Sequence, residues 1–398
     1  MPLRYRSCLA ALALIFFRLP FAWAEGDDAL KLNASYALQT DSNLFRLPAS
    51  TLPSRSNTSE VIGLTTLGLN FNKAYSLQQV TLDASLVDSQ YKNNSYLSFV
   101  AHNAKAAWHW SVSPELQGNL LYKHMQSLND FADNSTLNVR NERTDTIVRA
   151  DGEYGVSGPW RVIGTLMSIK QVNVLPTAAE GNTDNTYTEA GLRYVWPSDT
   201  SLTYTYRKTD GKYTDRALQE GALLDDTFHQ QDNELKLRWV LTGKSTVNLT
   251  AAYIRRAHPH YSQRNYSGIN TGATLNWAIS GKSALTTGWI RELTSYQTDT
   301  SNYAKTDRLS FGPVWQPTAK VSIGIKYEIA FRDYLGNPSG VVSDPRSDTL
   351  KDMSISLDWQ PYQSLTLSTS LKNSKRTSNQ SNLDFNSNMA TFSAQYSY

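Results

Sequence analysis

From Ala29 to Tyr398 apolar and polar residues alternate with a period of two, and no helical period runs along the chain. In the clearest run Val321, Ile323, Ile325, Tyr327, Ile329 and Phe331 share one face, and Ser322, Gly324, Lys326, Glu328, Ala330 and Arg332 share the other. Leu235, Leu237, Trp239 and Leu241 alternate with Glu234, Lys236 and Arg238. Met353, Ile355, Leu357 and Trp359 alternate with Asp352, Ser354, Ser356 and Asp358. The pattern predicts strands of roughly 10–14 residues, well beyond the ~5–6 usual in globular sheets.

Tight turns fall near Lys73–Ser76, Ser113–Glu115, Ser157–Pro159, Pro197–Thr200, Thr242–Ser245, Ser280–Ser283, Gln316–Lys320 and Pro361–Ser364, with longer polar loops between them. Eight tight turns between two free ends imply nine hairpins, hence about 18 strands; weak strands near Ile147 and Ile163 widen the range to 16–18. A soluble sandwich or propeller would use shorter strands buried on both faces. Long strands with one apolar and one polar face, short turns on one side and longer loops on the other fit an all-β, transmembrane antiparallel up-and-down barrel.

Aromatic placement supports the barrel. Seven tryptophans, Trp110, Trp160, Trp196, Trp239, Trp277, Trp315 and Trp359, lie close to tight turns, which places an interfacial belt at the periplasmic rim. Tyr91, Tyr187, Tyr213, Tyr261, Tyr266, Tyr296, Tyr303 and Tyr334 fall at the opposite strand ends and are expected to form the outer belt. Ala390, Phe392, Ala394, Tyr396 and Tyr398 make one face of the last strand. Phe392, Tyr396 and the terminal Tyr398 resemble the signal read by the bacterial outer-membrane assembly machinery.

Composition alone describes a soluble chain: 398 residues, net charge +3, 18% charged, mean hydropathy −0.45. The low mean excludes only helical spans, because half of each barrel strand faces water. Residues 1–24 carry Arg4 and Arg6, an apolar run from Cys8 to Phe17 and a small-x-small site at Ala22-Trp23-Ala24, the marks of a secretory signal peptide cut near Ala24. Residues 25–398 then form a single outer-membrane barrel domain. The single cysteine lies in that leader, so no disulfide or cysteine metal site is expected.

The polar faces should line a hydrated pore. The candidate lining residues are Lys31, Lys105, Arg193, Arg207, Lys236, Arg238, Lys326, Glu328, Arg332 and Lys372, with Lys123 among the further bases and Asp83, Glu189, Glu234, Asp352 and Asp358 as acidic counterparts. An excess of bases would favour anions; cross-strand pairing would instead leave them as wall-stiffening ion pairs. No catalytic constellation is visible, no nucleic-acid patch, no cofactor motif and no metal site; the His258/His260 pair, Asp225-Asp226 and Asp130/Asp133 read as solvated loop groups. The chain therefore reads as a channel, not an enzyme.

One loop carries apolar residues in an exposed setting: Asp41-Ser-Asn43-Leu44-Phe45-Arg46-Leu47-Pro48. Such residues are expected to fold into the barrel mouth or pack across neighbouring strands. Asp41 to Pro48, shortly after a leader, resembles the EpsL family of outer-membrane barrels encoded in exopolysaccharide operons. The resemblance implies a role in exopolysaccharide biosynthesis, as a channel exporting a polysaccharide chain with separate periplasmic export proteins. It carries over no functional residues. Lipid, lipopolysaccharide and the assembly machinery are the other expected partners. The alternatives are a general or solute-selective uptake porin and a barrel enzyme acting on lipid or polysaccharide.

Overall fold

A computed structural model describes residues 29–52, 57–132, 139–175, 181–298, 300–338, 340 and 344–398. The expected leader with its expected cleavage site near Ala24, Cys8 and Asp133 lie outside the described residues. The chain runs β1 (Leu30–Asp41), β2 (Glu60–Tyr75), β3 (Gln78–Tyr91), β4 (Phe99–Ser113), β5 (Leu116–Leu128), β6 (Glu142–Ser157), β7 (Trp160–Asn173), β8 (Thr183–Val195) and β9 (Ser201–Tyr213). It continues through β10 (Thr227–Thr242), β11 (Ser245–Ala257), β12 (Tyr266–Ser280), β13 (Ser283–Ser295), β14 (Tyr303–Thr318), β15 (Val321–Leu335), β16 (Ser347–Tyr362), β17 (Leu365–Ser378) and β18 (Phe385–Ser397). Each strand pairs antiparallel with its sequence neighbours, and β1 also pairs with β18 from Asn33–Ser397 to Asp41–Met389. The sheet closes into an 18-stranded barrel, which gives every strand two partners and leaves no edge in lipid.

The eight tight turns fall where the sequence places them, and the start of β1 and the end of β18 lie on that same side. Ser157-Gly158-Pro159 shows why such turns are short: Gly158 takes a φ of +52°, which glycine adopts without strain. The other end carries nine loops; L1 (42–59), L2 (92–98), L3 (129–141), L5 (214–226), L6 (258–265) and L7 (296–302) matter below. Strands of 12–16 residues exceed the ~9–11 needed to cross a bilayer, so their far ends stand above it.

Residues opposite one another across the ladder share a face. Val321–Trp359, Ile323–Leu357, Ile325–Ile355 and Tyr327–Met353 make the outer wall of β15 and β16, while Lys326–Ser354 and Glu328–Asp352 face inward. The same register turns Trp110, Trp160, Trp239, Trp277, Trp315 and Trp359 outward near the tight-turn ends, and Trp196 sits in the β8–β9 turn. Phe392 and Tyr396 face outward on β18, exposed by 59% and 43%. The terminal Tyr398 exchanges backbone hydrogen bonds with Leu32, so the C-terminus helps zip the closing seam.

The expected outer tyrosine belt is not formed. Tyr213, Tyr266 and Tyr334 are buried at 1%, 7% and 2% exposure, Tyr91 packs against the L1 cluster, and Tyr303 stacks on Tyr266. Tyr187 pairs with the inward Met167, and Tyr261 and Tyr296 lie in L6 and L7. Loops fold over the inner face of the strand ends here, so Tyr213 and Tyr334 are buried and their hydroxyls, like that of Tyr296, find polar partners in Gln297, Asp348 and Arg346.

Some close approaches are set by small residues. The Trp110 ring lies over Gly118 and Gly152 on the outer wall, and any Cβ at Gly118 would collide with that indole and with the Asp151 carbonyl. Gly118→Val is expected to destabilise the barrel by about 1–3 kcal/mol or more, measured as a lower fraction of heat-modifiable folded barrel after refolding.

Candidate functional site

The site begins at the inner wall of β1–β5, where one rung crosses five strands. Lys31 lies opposite Asn70, Asn70 opposite Asp83, Asp83 opposite Lys105, and Lys105 opposite Lys123. Adjacent strands sit about 4.8 Å apart, so the row spans about 20 Å of arc. Asn33 donates to Asn70, and Asn70 Nδ2 donates to Asp83 Oδ1 at 2.6 Å. Asp83 Oδ2 lies 3.8 Å from Lys105 Nζ. Lys31 and Lys123 have no carboxylate within ion-pair distance among the described residues, so three ammonium groups share one carboxylate. A recess of about 330 Å³ opens here, lined by Asn33, Ser35, Asn70, Asn103, Lys105 and Lys123 among others. On the same rung, Lys123 is followed by Ile147 and Ile169, an apolar flank.

Alternation places all ten candidate lining residues on the inner wall. Elsewhere most of them are neutralised. Arg193 bonds Glu153 at 2.5 Å, and Arg207 bonds Glu189 at 2.6 Å with Asp232 and Glu234 nearby. Lys236 pairs with Glu234, Lys326 with Glu328 at 3.3 Å, and Lys372 with Asp352 at 3.7 Å. Arg238 donates to the Asp199 carbonyl and Arg332 to Thr306 Oγ1. Sequence reasoning missed the inward Arg143, Arg149, Arg161, Arg256 and Arg308; on β6 the outward positions include Thr144, Thr146, Ala150 and Gly152, too weakly apolar to reveal the alternation.

L1 closes one sector of the mouth above this row. Asp41, 2% exposed, receives three bonds: Asn43 N at 2.9 Å, Ser387 Oγ at 2.6 Å and Arg46 Nη1 at 2.8 Å. Asn43 Oδ1 accepts from Leu47 N, and its Nδ2 donates to the Leu47 and Asn386 carbonyls. Arg46 adopts a φ of +55° and also reaches Ser387. These bonds turn Leu44, Phe45 and Leu47 into a cluster with Ile62, Leu97 and Phe131, and Pro48 is buried beside them. Phe45 meets Phe131 of L3 edge-on at 5.0 Å. Each such side chain contributes about 1.5–3 kcal/mol by leaving water. L3 then reaches over L1, since Ala132 accepts from the inward Arg376 of β17 at 2.6 Å. Glu60, 1% exposed, completes the anchor by accepting the Asn93 and Asn94 backbone amides of L2. No local signal announces Ser387, Arg376 or Glu60, because their partners lie far away in sequence.

A second loop system closes the opposite sector. Arg264 of L6, 1% exposed, donates to Ala222 and Leu223 of L5 and to Thr298 and Ser301 of L7. Asp225 is fully buried and accepts from His260 N at 2.8 Å and His260 Nδ1 at 3.0 Å. His258 is 3% exposed and meets Gln297 Nε2 at 3.0 Å. The expectation that Asp225 and His258 are solvated is therefore corrected: loop packing removes them from water. Asp225, Asp226 and His260 converge, yet both Asp225 oxygens are already hydrogen-bonded. Burial, with Arg256 nearby, pushes the His258 imidazole down to about 4. The bond to Asp225 raises His260.

No protein-family model matches the chain, and no curated protein matches it in sequence. Its fold is similar to that of OpdQ from Pseudomonas aeruginosa, at 13% identity and a TM-score of 0.53, covering 94% of this chain and 99% of that one. OccK2 (OpdF) from the same organism, crystallised with glucuronate, is similar at 12% identity and a TM-score of 0.52, covering 93% and 98%. A BenF-like porin from Pseudomonas fluorescens Pf-5 is similar at 10% identity and a TM-score of 0.52, covering 93% and 99%. At these identities the likeness shows the fold alone: a closed 18-stranded antiparallel barrel.

Two predictions follow from the loop chemistry. Asp41→Ala removes the acceptor that turns L1 and leaves Arg46 without its carboxylate, at a cost of about 1–3 kcal/mol; L1 should become sensitive to limited proteolysis. His258 has a depressed folded value, so its neutral, buried state is stable above the unfolded value of 6.5 and loses stability as pH falls from there towards about 4. Going from pH 7.5 to 5 should remove about 2 kcal/mol of the contribution that His258 makes to the L5–L6–L7 system. The exposed His260, raised by Asp225, acts with the opposite sign, favouring the fold below pH 6.5 and losing that contribution as pH rises through its folded value. Faster amide exchange in residues 258–265 at pH 5, abolished in His258→Gln, is the expected readout.

Proposed function

We propose that the protein is an outer-membrane channel through which small anionic solutes diffuse. The observation that carries this reading is the rung Lys31–Asn70–Asp83–Lys105–Lys123, three bases to one acid, of which Asp83, Lys105 and Lys123 line a recess with amides and hydroxyls and Lys31 lies on the wall beside it. A carboxylate entering beside L1 meets ammonium groups that lack full counter-charges, while exchangeable amide and hydroxyl contacts hold it weakly enough to leave again. Ile147 and Ile169 give the same rung an apolar flank for the body of the solute. Over the rest of the wall ion pairs keep the lumen hydrated without biasing it strongly. Two of the proteins similar in fold were crystallised with carboxylates, OccK2 with glucuronate and OpdK with vanillate.

Polysaccharide export is the second reading, favoured by the resemblance of Asp41–Pro48. In the fold the polar groups of Asp41, Asn43 and Arg46 bond one another and β18, and Leu44, Phe45 and Leu47 are buried. The segment therefore narrows the mouth and offers a sliding polymer few groups. Its test is genetic: polymer accumulating in the periplasm on deletion supports export, and unchanged secretion rejects it.

In planar bilayers under a potassium chloride gradient the wild-type channel should prefer anions. Lys105→Glu with Lys123→Glu should move the reversal potential towards cation preference. A cation-selective wild type, or a potential unmoved by the double variant in a folded barrel, overturns the proposed reading.

A further inference from the structure

Where the sequence places a tyrosine belt, the outer wall carries charge. Several outward cations at that level have a carboxylate beside them: Lys208 meets Asp210 at 3.0 Å, Arg291 meets Asp307 at 2.8 Å, and Lys305 meets Asp333 at 3.1 Å. Lys351 on β16 and Lys375 on β17 differ. They lie directly opposite each other on the outer face, both exposed, with no acidic partner among the described residues. Like charges in that position repel, so the pair is unfavourable unless an anion bridges it. The next residue on the rung is the exposed Asn386. Asn373 Nδ2 donates to the side-chain oxygens of both Asn386 and Asn388 at 2.8 Å, so the Asn386 and Asn388 amide nitrogens remain as donors beside Lys375.

The level of the pair narrows what the anion can be. Lys351 lies eight residues above Trp359 of the periplasmic belt, about 20 Å along the membrane normal for tilted strands. The apolar band is about 25 Å tall, so the two lysine stems can carry their ammonium groups up to the outer-leaflet headgroups. Directly below lie Met353, Leu371 and Phe392, exposed by 47%, 59% and 59%, a wall suited to acyl chains. We propose that Lys351 and Lys375, with the Asn386 and Asn388 amides, form a site on the outer wall for a phosphate of lipid A, the anionic, acylated headgroup of the outer leaflet. One phosphate between the two ammonium groups would remove their repulsion and make charge-assisted hydrogen bonds to both, while its acyl chains cover the apolar wall beneath.

The test is native mass spectrometry of the purified full-length barrel in detergent, titrated with bisphosphorylated lipid A, dephosphorylated lipid A, phosphatidylglycerol or inorganic phosphate. The wild-type barrel should retain bisphosphorylated lipid A, and Lys351→Glu with Lys375→Glu should weaken retention roughly tenfold or more. Lys73→Glu, at the periplasmic rim, should leave retention unchanged. Heat-modifiable mobility checks the fold of each variant, and Lys351→Gln with Lys375→Gln replaces the reversed pair where that pair does not assemble. The dephosphorylated lipid needs no variant and should bind at least several-fold more weakly. Equal retention by folded double variants, equal binding of dephosphorylated lipid A, or competition by phosphatidylglycerol or inorganic phosphate as strong as by lipid A overturns the site.

Discussion

Everything in this molecule depends on one pairing, β1 against β18. In hydrocarbon an unpaired backbone amide or carbonyl costs several kcal/mol, so a sheet that spans a membrane must close on itself. The seam runs from Asn33–Ser397 to Asp41–Met389 and is finished by the reciprocal Leu32–Tyr398 hydrogen bonds. Closure fixes which face of each strand meets lipid, because a one-residue slip would turn every side chain of that strand over. The alternation of side chains, the outward tryptophans and the inward ion pairs are consequences of that single condition.

The seam also explains the architecture of L1. Asp41, the last residue of β1, and Ser387 of β18 join across it at 2.6 Å, and Arg46 and Asn43 extend the join. The loop that follows the first strand is therefore tied to the last strand, and the mouth of the barrel is narrowed where its first and last strands meet at the long-loop end. The first turn of that loop is held by the polar bonds of Asn43 and Arg46 and by the interleaved Leu44–Phe45–Leu47 cluster. The polar bonds set direction and the apolar cluster supplies most of the stabilisation, since each net hydrogen bond contributes only about 1 kcal/mol.

The fold was legible in the sequence because its signals are local. Period-two runs such as 321–332, turns such as Ser157-Gly158-Pro159 and tryptophans beside them need no knowledge of distant residues. The inward lysines Lys31 and Lys105 were legible for the same reason. Their arrangement as one rung was not, since register between strands depends on the whole closed sheet. The tyrosines were misplaced because proximity to a strand end does not say whether a ring faces lipid or a folded loop; Tyr213 and Tyr334 lie under L5–L7 contacts that span up to about 80 residues of sequence. Asp225 was misread because only its partner His260, 35 residues away, reveals it as buried.

The two loop systems at the mouth are built from different physics, and that bears on what the channel can respond to. L1, L2 and L3 hold together chiefly by apolar burial around Phe45 and Phe131, which changes little with proton concentration. L5, L6 and L7 hold together through Arg264, Asp225, His258 and His260, so their stability is linked to pH. The lysine rung lies on the wall beneath the first system, so acid should loosen the far side of the mouth while leaving the recess and its roof intact. A change of pH would then alter access to the lumen more than the chemistry that meets the solute inside it.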